Sequence, residues 1–133
     1  MEKKIHLLIV DDDAALTHFC RKVVEKYACR ATVASGVEEA VRTLSADTSI
    51  DFVLSDVQMP GVDGWTLLSW MKQNRPGCPV GLMTGIPYVS VRETAVKAGA
   101  VGVLMKPFSP DDLCRFVRSH LGVSAGFERK SVQ

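Results

Sequence analysis

No stretch of this 133-residue chain is apolar over the roughly 20 residues that a membrane-spanning helix requires. An excess of one charge is also lacking. The net charge is +1 and no basic stripe stands out, which argues against direct nucleic-acid binding and against membrane insertion. Lys3 and Lys4 precede a short apolar stretch, but it runs straight into Asp11, Asp12 and Asp13. That is a poor signal peptide, so a cytoplasmic location is expected. The four cysteines, Cys20, Cys29, Cys78 and Cys114, are irregularly spaced without a Cys-x-x-Cys, and only three histidines could assist them in holding a metal. They read as reduced, partly buried thiols. Low-complexity segments are absent, as is any repeat beyond a strand–helix rhythm.

That rhythm is what the chain does have. With 47% apolar residues it is long enough for one domain with a proper core and too short for two ordinary ones. Apolar runs at 5–10, 31–34, 50–55, 80–83 and 102–105 read as strands. The first is nearly continuous, as in a strand buried on both faces. Leu16, Phe19, Cys20, Val23, Val24 and Tyr27 recur at three- and four-residue spacing, predicting a helix over 13–27 with Asp13 as N-cap. A second helix is expected to about 46, capped by Ser35, with Glu38 completing a capping box. A third runs from Asp63 or Gly64 to 74, where Pro76-Gly77 ends it. The fourth spans 87–98 with Gly99 as C-cap. Ser109 caps the fifth, with Pro110 at its first position, and the helix runs to 121. Five βα units in a row predict an α/β fold: a doubly wound, five-stranded parallel sheet with helices on both faces. Residues 1–122 are expected to form this domain and 123–133 a tail or linker stub.

In such sheets ligands bind beyond the carboxyl ends of the strands. The polar residues at those ends are Asp11 and Asp12, Asp56, Thr84 and Lys106. Three neighbouring carboxylates repel unless something positive joins them, and Mg²⁺ suits oxygen ligands. Each residue also has a plainer reading. Asp11 to Asp13 would serve as an acidic helix start, Thr84 as a turn cap, and Lys106 as a surface lysine. Lys106-Pro107 is a candidate for a cis bond that aims the ammonium inward. His6 reads as a satisfied core or edge histidine, and His120 as a group favoured by a helix C-terminus when charged. Trp65 and Trp70 read as helix-to-sheet packing.

Taken together, Val10-Asp11-Asp12-Asp13, the run from Ser55-Asp56 through Met59-Pro60-Gly61 to Asp63-Gly64, Met83-Thr84-Gly85, Ala98-Gly99-Ala100 and Lys106-Pro107-Phe108 resemble the receiver domain of two-component response regulators. The likeness covers about residues 4–121. It implies a flavodoxin-like (CheY-like) fold with strand order 2-1-3-4-5. It implies that Asp56 is the phosphoacceptor, taking a phosphoryl group from a histidine kinase or a histidine phosphotransfer protein. Asp12 and Asp56 would bind Mg²⁺ directly, Asp11 mainly through water, and Gln58 through its backbone carbonyl. Lys106 and Thr84 would meet the phosphoryl oxygens. The protein would then be a signalling switch rather than an enzyme with turnover, beyond its own phosphorylation and slow autodephosphorylation. A protein effector or output domain would bind the face from Tyr88 to Leu121, where Val91, Lys97, Asp111, Arg115 and Arg118 lie, and phosphorylation could drive a homodimer.

The sequence departs from the family at Val103. The family carries an aromatic ring there that swings as the threonine moves, and valine has none. Tyr88 is then the nearest aromatic reporter, against the plainer reading of half-buried packing. Gln58 and Ile86 flank the phosphoryl position and imply modest autodephosphorylation. Two other classes compete. A Mg²⁺-dependent phosphohydrolase would use a second aspartate two residues after the nucleophile, but Gln58 stands there and cannot transfer a proton. A receiver-like module that never takes phosphate would not need the full set of Asp11, Asp12, Asp56, Thr84 and Lys106.

Overall fold

The computed structural model describes residues 4–86 and 88–121, with the side chains of all of these except 88–90. Five strands alternate with five helices: β1 His6–Val10, α1 Ala14–Glu25, β2 Arg30–Ala34, α2 Val37–Ala46, β3 Phe52–Asp56, α3 Gly64–Asn74, β4 Val80–Thr84, α4 Tyr88–Lys97, β5 Gly102–Met105 and α5 Pro110–Leu121. All strand pairs are parallel and the order is β2-β1-β3-β4-β5, the doubly wound arrangement expected.

Alternate residues of each strand face opposite layers. Leu8, Val10, Val53, Val80, Leu82 and Val103 pack against α2, α3 and α4. Leu7, Ile9, Phe52, Leu54, Met83 and Leu104 pack against α1 and α5. Both faces of the inner strands β1, β3 and β4 are covered, which explains why these read as largely continuous apolar runs rather than alternating ones. Each fully buried leucine contributes on the order of 2 kcal/mol to that assembly.

Most helix ends follow their local chemistry. Asp13 accepts from the N–H groups of Ala15 and Leu16 at 3.0 and 3.2 Å. Ser109 and Asp112 cap α5 reciprocally, each taking the other's backbone N–H at 3.0 Å. Gly99, at φ 101°, closes α4. Its N–H reaches the carbonyl of Val96 and that of Ala100 reaches Ala95, the paired bonds of a Schellman motif. The second helix corrects the expectation. Gly36, not Ser35, holds its N-cap position, and Glu39 rather than Glu38 folds back, accepting from the Ser35 N–H and hydroxyl at 2.6 and 3.0 Å. The helix starts one residue later than expected, which moves its third position to the next glutamate. The first helix ends at Glu25, short of Tyr27, and the chain turns through Ala28 at φ 63°.

All four cysteines are buried and free. Burial pushes the thiols of Cys20 and Cys29 up to about 12, so both stay protonated near neutrality. His6 is buried, and its ring nitrogens meet the hydroxyls of Thr32 and Ser49 at 2.7 and 2.8 Å. His120 lies in the last turn of α5, as expected; burial lowers its pKa, and its ring lies edge-on to Phe116 at 4.7 Å. Gly102 explains this, because a Cβ there would stand 2.9 Å from the His120 Nε2. No helix among the described residues is long and apolar enough to cross a membrane.

Candidate functional site

Strand register assembles the site. Val10 pairs with Ser55, so Asp11 and Asp56, one residue on, leave the sheet side by side. Asp56 pairs with Met83, which places Thr84 one step beyond it, and Thr84 pairs with Met105, just before Lys106. Four parallel strands thus end at nearly one level, and each delivers its polar residue to one mouth. The peptide between Lys106 and Pro107 is cis, as anticipated. The Lys106 N–H also donates to the Thr84 carbonyl at 2.7 Å.

The lysine side chain turns inward. Its Nζ lies 2.8 Å from Asp11 Oδ2 and 3.3 Å from Asp56 Oδ1. Asp11 and Asp56 are buried, while Asp12 is exposed. Asp13 donates its backbone N–H to the second oxygen of Asp11 at 3.0 Å. Burial raises the Asp56 pKa and the nearby Asp11 charge raises it further, against the lowering effects of Lys106 and of the Gln58 N–H bonded to the carboxylate. For Lys106, burial pulls the pKa down, but the hydrogen bond to Asp11 and the charges of both aspartates outweigh it and hold the ammonium above the usual lysine value.

Carboxylate oxygens of Asp11, Asp12 and Asp56 lie within 4.8 Å of one another. Three carboxylates against one ammonium leave two negative charges in the mouth, and every donor is a hard oxygen. This set fits a divalent cation of the Mg²⁺ type. Thr84 is buried and its hydroxyl accepts the Ile86 N–H at 3.1 Å, the turn-cap role that was its plainer reading. Its hydroxyl hydrogen remains able to donate elsewhere.

The structure brings Asp11, Asp12, Asp56 and Lys106 together directly, with Thr84 and Gln58 on the neighbouring strand end and loop. Two contributors were not anticipated. The Ser55 hydroxyl, fully buried, donates to the Asp56 carbonyl at 3.0 Å. Gly64 packs against the same carbonyl. Only the apolar run containing Ser55 and the Asp63-Gly64 turn hinted at them. On the far face the expectation for Val91 fails. It is buried against the sheet, whereas Lys97, Asp111, Arg115 and Arg118 are exposed. The side chain of Tyr88 lies outside the described residues. Val103 is buried in the layer under α4.

The sequence model of the response regulator receiver domain family matches residues 7–118. The chain is 36% identical over 118 residues to transcription factor SKN7 of Candida albicans, covering 89% of this chain and 21% of that protein. It is also 36% identical over 121 residues to the transcriptional regulatory protein FixJ of Bradyrhizobium diazoefficiens, covering 90% and 58%. The chain therefore spans less than two thirds of these relatives. Among solved structures, a CheY-like response regulator receiver domain protein from Methanospirillum hungatei superposes with a TM-score of 0.83 at 26% identity, covering 90% of this chain and 94% of that one. Five parallel strands in this order, the cluster of acids and the lysine at their carboxyl ends, and these likenesses lead to one conclusion: the chain belongs to the response regulator receiver domain family of two-component signalling.

Proposed function

We propose that this receiver domain accepts a phosphoryl group on Asp56 from a histidine kinase or histidine phosphotransfer protein, and that the modification changes its partner. The observation that carries this reading is Lys106 Nζ, set between Asp11 and Asp56 beside a three-carboxylate cluster. An Asp56 oxygen attacks phosphorus, a P–O bond forms and the P–N bond of the phosphohistidine breaks. The imidazole leaves with the electron pair and takes up a proton. Such transfer needs mainly positioning and charge stabilisation. Lys106 offsets charge on one phosphoryl oxygen. Thr84, its oxygen already accepting from Ile86, donates its hydrogen to another. Asp12, Asp56 and the Gln58 carbonyl would hold Mg²⁺ directly, with Asp11 acting through water. The ion would neutralise the carboxylates and draw charge off the phosphoryl group.

Gln58 cannot serve as a proton-transferring acid, which favours a held phosphoryl group over rapid turnover. Gln58 and Ile86, flanking the group, give modest autodephosphorylation. The kinase side would dock on α1 and the mouth, where Phe19 of α1 and Phe108 pair at 6.3 Å. The effector or output domain would use α4, β5 and α5, through exposed Lys97, Asp111, Arg115 and Arg118. The two sequence relatives named above are a transcription factor and a transcriptional regulatory protein. Here the receiver acts through protein partners, not through nucleic acid, and within the cytoplasm. Homodimerisation on phosphorylation belongs to the same reading, as does the division into a receiver over 1–122 and a tail over 123–133, which lies wholly outside the described residues.

The test is incubation with acetyl phosphate, or beryllofluoride, in the presence of Mg²⁺, followed by intact mass or tryptophan fluorescence. A stoichiometric, Mg²⁺-dependent adduct absent from Asp56→Ala and weakened in Asp12→Ala is expected. Multiple turnover of a phosphomonoester would point to a hydrolase instead, and no adduct with no metal binding would leave a passive module.

A further inference from the structure

Gly64 opens α3 without a positive φ; among the described residues only Gly61, Gly99 and Ala28 have one. Conformation therefore does not demand glycine at this position. Space does. A Cβ on Gly64 would overlap the carbonyl oxygen of Asp56 and stand 3.1 Å from both the carbonyl carbon of Asp56 and the Cα of Val57. These are backbone atoms of a strand end and cannot swing aside. Gly81 and Gly102 are also crowded, but by side chains, mainly the Phe116 and His120 rings, and they lie near the starts of β4 and β5, the strand ends away from the acidic mouth.

The close approach at Gly64 closes a loop. Val57 donates its N–H to the Met83 carbonyl at 2.9 Å and accepts the Gly64 N–H at 3.0 Å. Residues 58–63 therefore leave from Val57 and return to it. The first of them, Gln58, donates its N–H to the Asp56 carboxylate. Asp63 fixes the far end by accepting from the Thr66 N–H at 3.2 Å. Anything that lifts α3 off the Asp56 carbonyl thus opens the loop at the residue pair that anchors the Gln58 peptide.

We propose that Gly64 is a positioning residue for the chemistry at Asp56: its missing Cβ lets the first turn of α3 rest on the Asp56 carbonyl, and that contact sets where the Gln58 peptide stands relative to the Asp56 carboxylate. The inference rests on the phosphoacceptor reading above. Wild-type, Gly64→Ala and Gly102→Ala proteins are titrated with MgCl₂ by calorimetry, with folding checked by circular dichroism and exchange of the Gln58 amide followed by NMR. Gly64→Ala is expected to bind Mg²⁺ at least tenfold more weakly and to exchange the Gln58 amide at least tenfold faster. Gly102→Ala, crowded elsewhere, is expected to stay within twofold on both. A folded Gly64→Ala within twofold of wild type overturns the proposal, as does an equal loss in Gly102→Ala. Where Gly64→Ala does not fold, Asp63→Ala loosens the same turn without adding an atom at the clash. A severalfold loss of Mg²⁺ affinity there supports the proposal, and an unchanged affinity overturns it. Wild-type protein that neither binds Mg²⁺ nor forms a beryllofluoride adduct sinks the phosphoacceptor reading itself. Wild-type binding alongside unaltered Gly64→Ala sinks only the role given to Gly64.

Discussion

Lys106 Nζ stands 2.8 Å from Asp11 Oδ2 although 95 residues separate the two in the chain. The Asp11 side chain is 1% exposed and that of Lys106 is 25% exposed, so the pair is screened on one side only. Removing the ammonium leaves a buried carboxylate facing another. Lys106→Ala is expected to lose about 2 kcal/mol, less than the roughly 3–5 kcal/mol of a fully buried pair. In an Asp11→Asn background the same change is expected to cost much less, which a double-mutant cycle of urea melts would measure. The phosphorylation rate of Lys106→Ala with acetyl phosphate is expected to fall about a hundredfold, as when one donor to a developing anion is lost.

Asp56 carries the opposite balance. Its raised pKa, caused first by burial and then by Asp11, means that the ionised form is disfavoured in the metal-free fold. The folded state then binds this proton more tightly than the unfolded state. From this group, stability falls as pH rises through the unfolded value to the folded one, and the deficit persists above it. Asp56→Asn is expected to remove the deficit, stabilising metal-free protein at neutral pH by about 1 kcal/mol while abolishing the adduct. The advantage over wild type is expected to shrink on acidification through the raised Asp56 value. Thermal melts across pH without Mg²⁺ would show it, and an Asn variant less stable than wild type at neutral pH would contradict it.

Ala28 occupies the left-handed region at φ 63°, where an L-residue is disfavoured by roughly 1–2 kcal/mol. Ala28→Gly is expected to stabilise the fold by about 0.5–1 kcal/mol, after allowing for the freer unfolded chain. Chemical denaturation would register it as a higher midpoint at unchanged slope. Because the turn follows α1 at the end remote from the acids, Mg²⁺ affinity is expected to stay constant.

Val103 lies in the layer under α4, with Val91 and Ala95 in the same cluster. Val103→Phe is expected to overpack this layer and cost about 1–3 kcal/mol. A phenylalanine variant as stable as wild type would show instead that the space under α4 accepts a ring.

The sheet was legible because both of its faces are covered. Apolar runs marked the strands, and a polar residue where four of them stopped, those of β1, β3, β4 and β5, marked the mouth. Boundaries were less visible. Ser35 is followed by two glutamates, and which one folds back depends on where the first helical turn sets, a one-residue choice that propensity does not resolve. Val91 looked like a surface residue because sequence spacing along α4 does not fix which way the helix is rotated against the sheet. His120 read only as a residue near a helix end, because nothing local shows that Gly102, on another element, leaves room for its ring. Gly64 read as turn chemistry. Its closeness to Asp56 is a tertiary fact, invisible until α3 lies on β3.

The even register of the strand ends has a consequence for how the charges of the mouth are assembled. Acids, hydroxyl and ammonium come from four different strands, and β5 contributes only the last of them. With the edge strand β5 detached, the mouth would keep its acids but lose the ammonium between Asp11 and Asp56. The charge balance of the mouth is therefore a property of the whole sheet, complete only when its edge strand is paired.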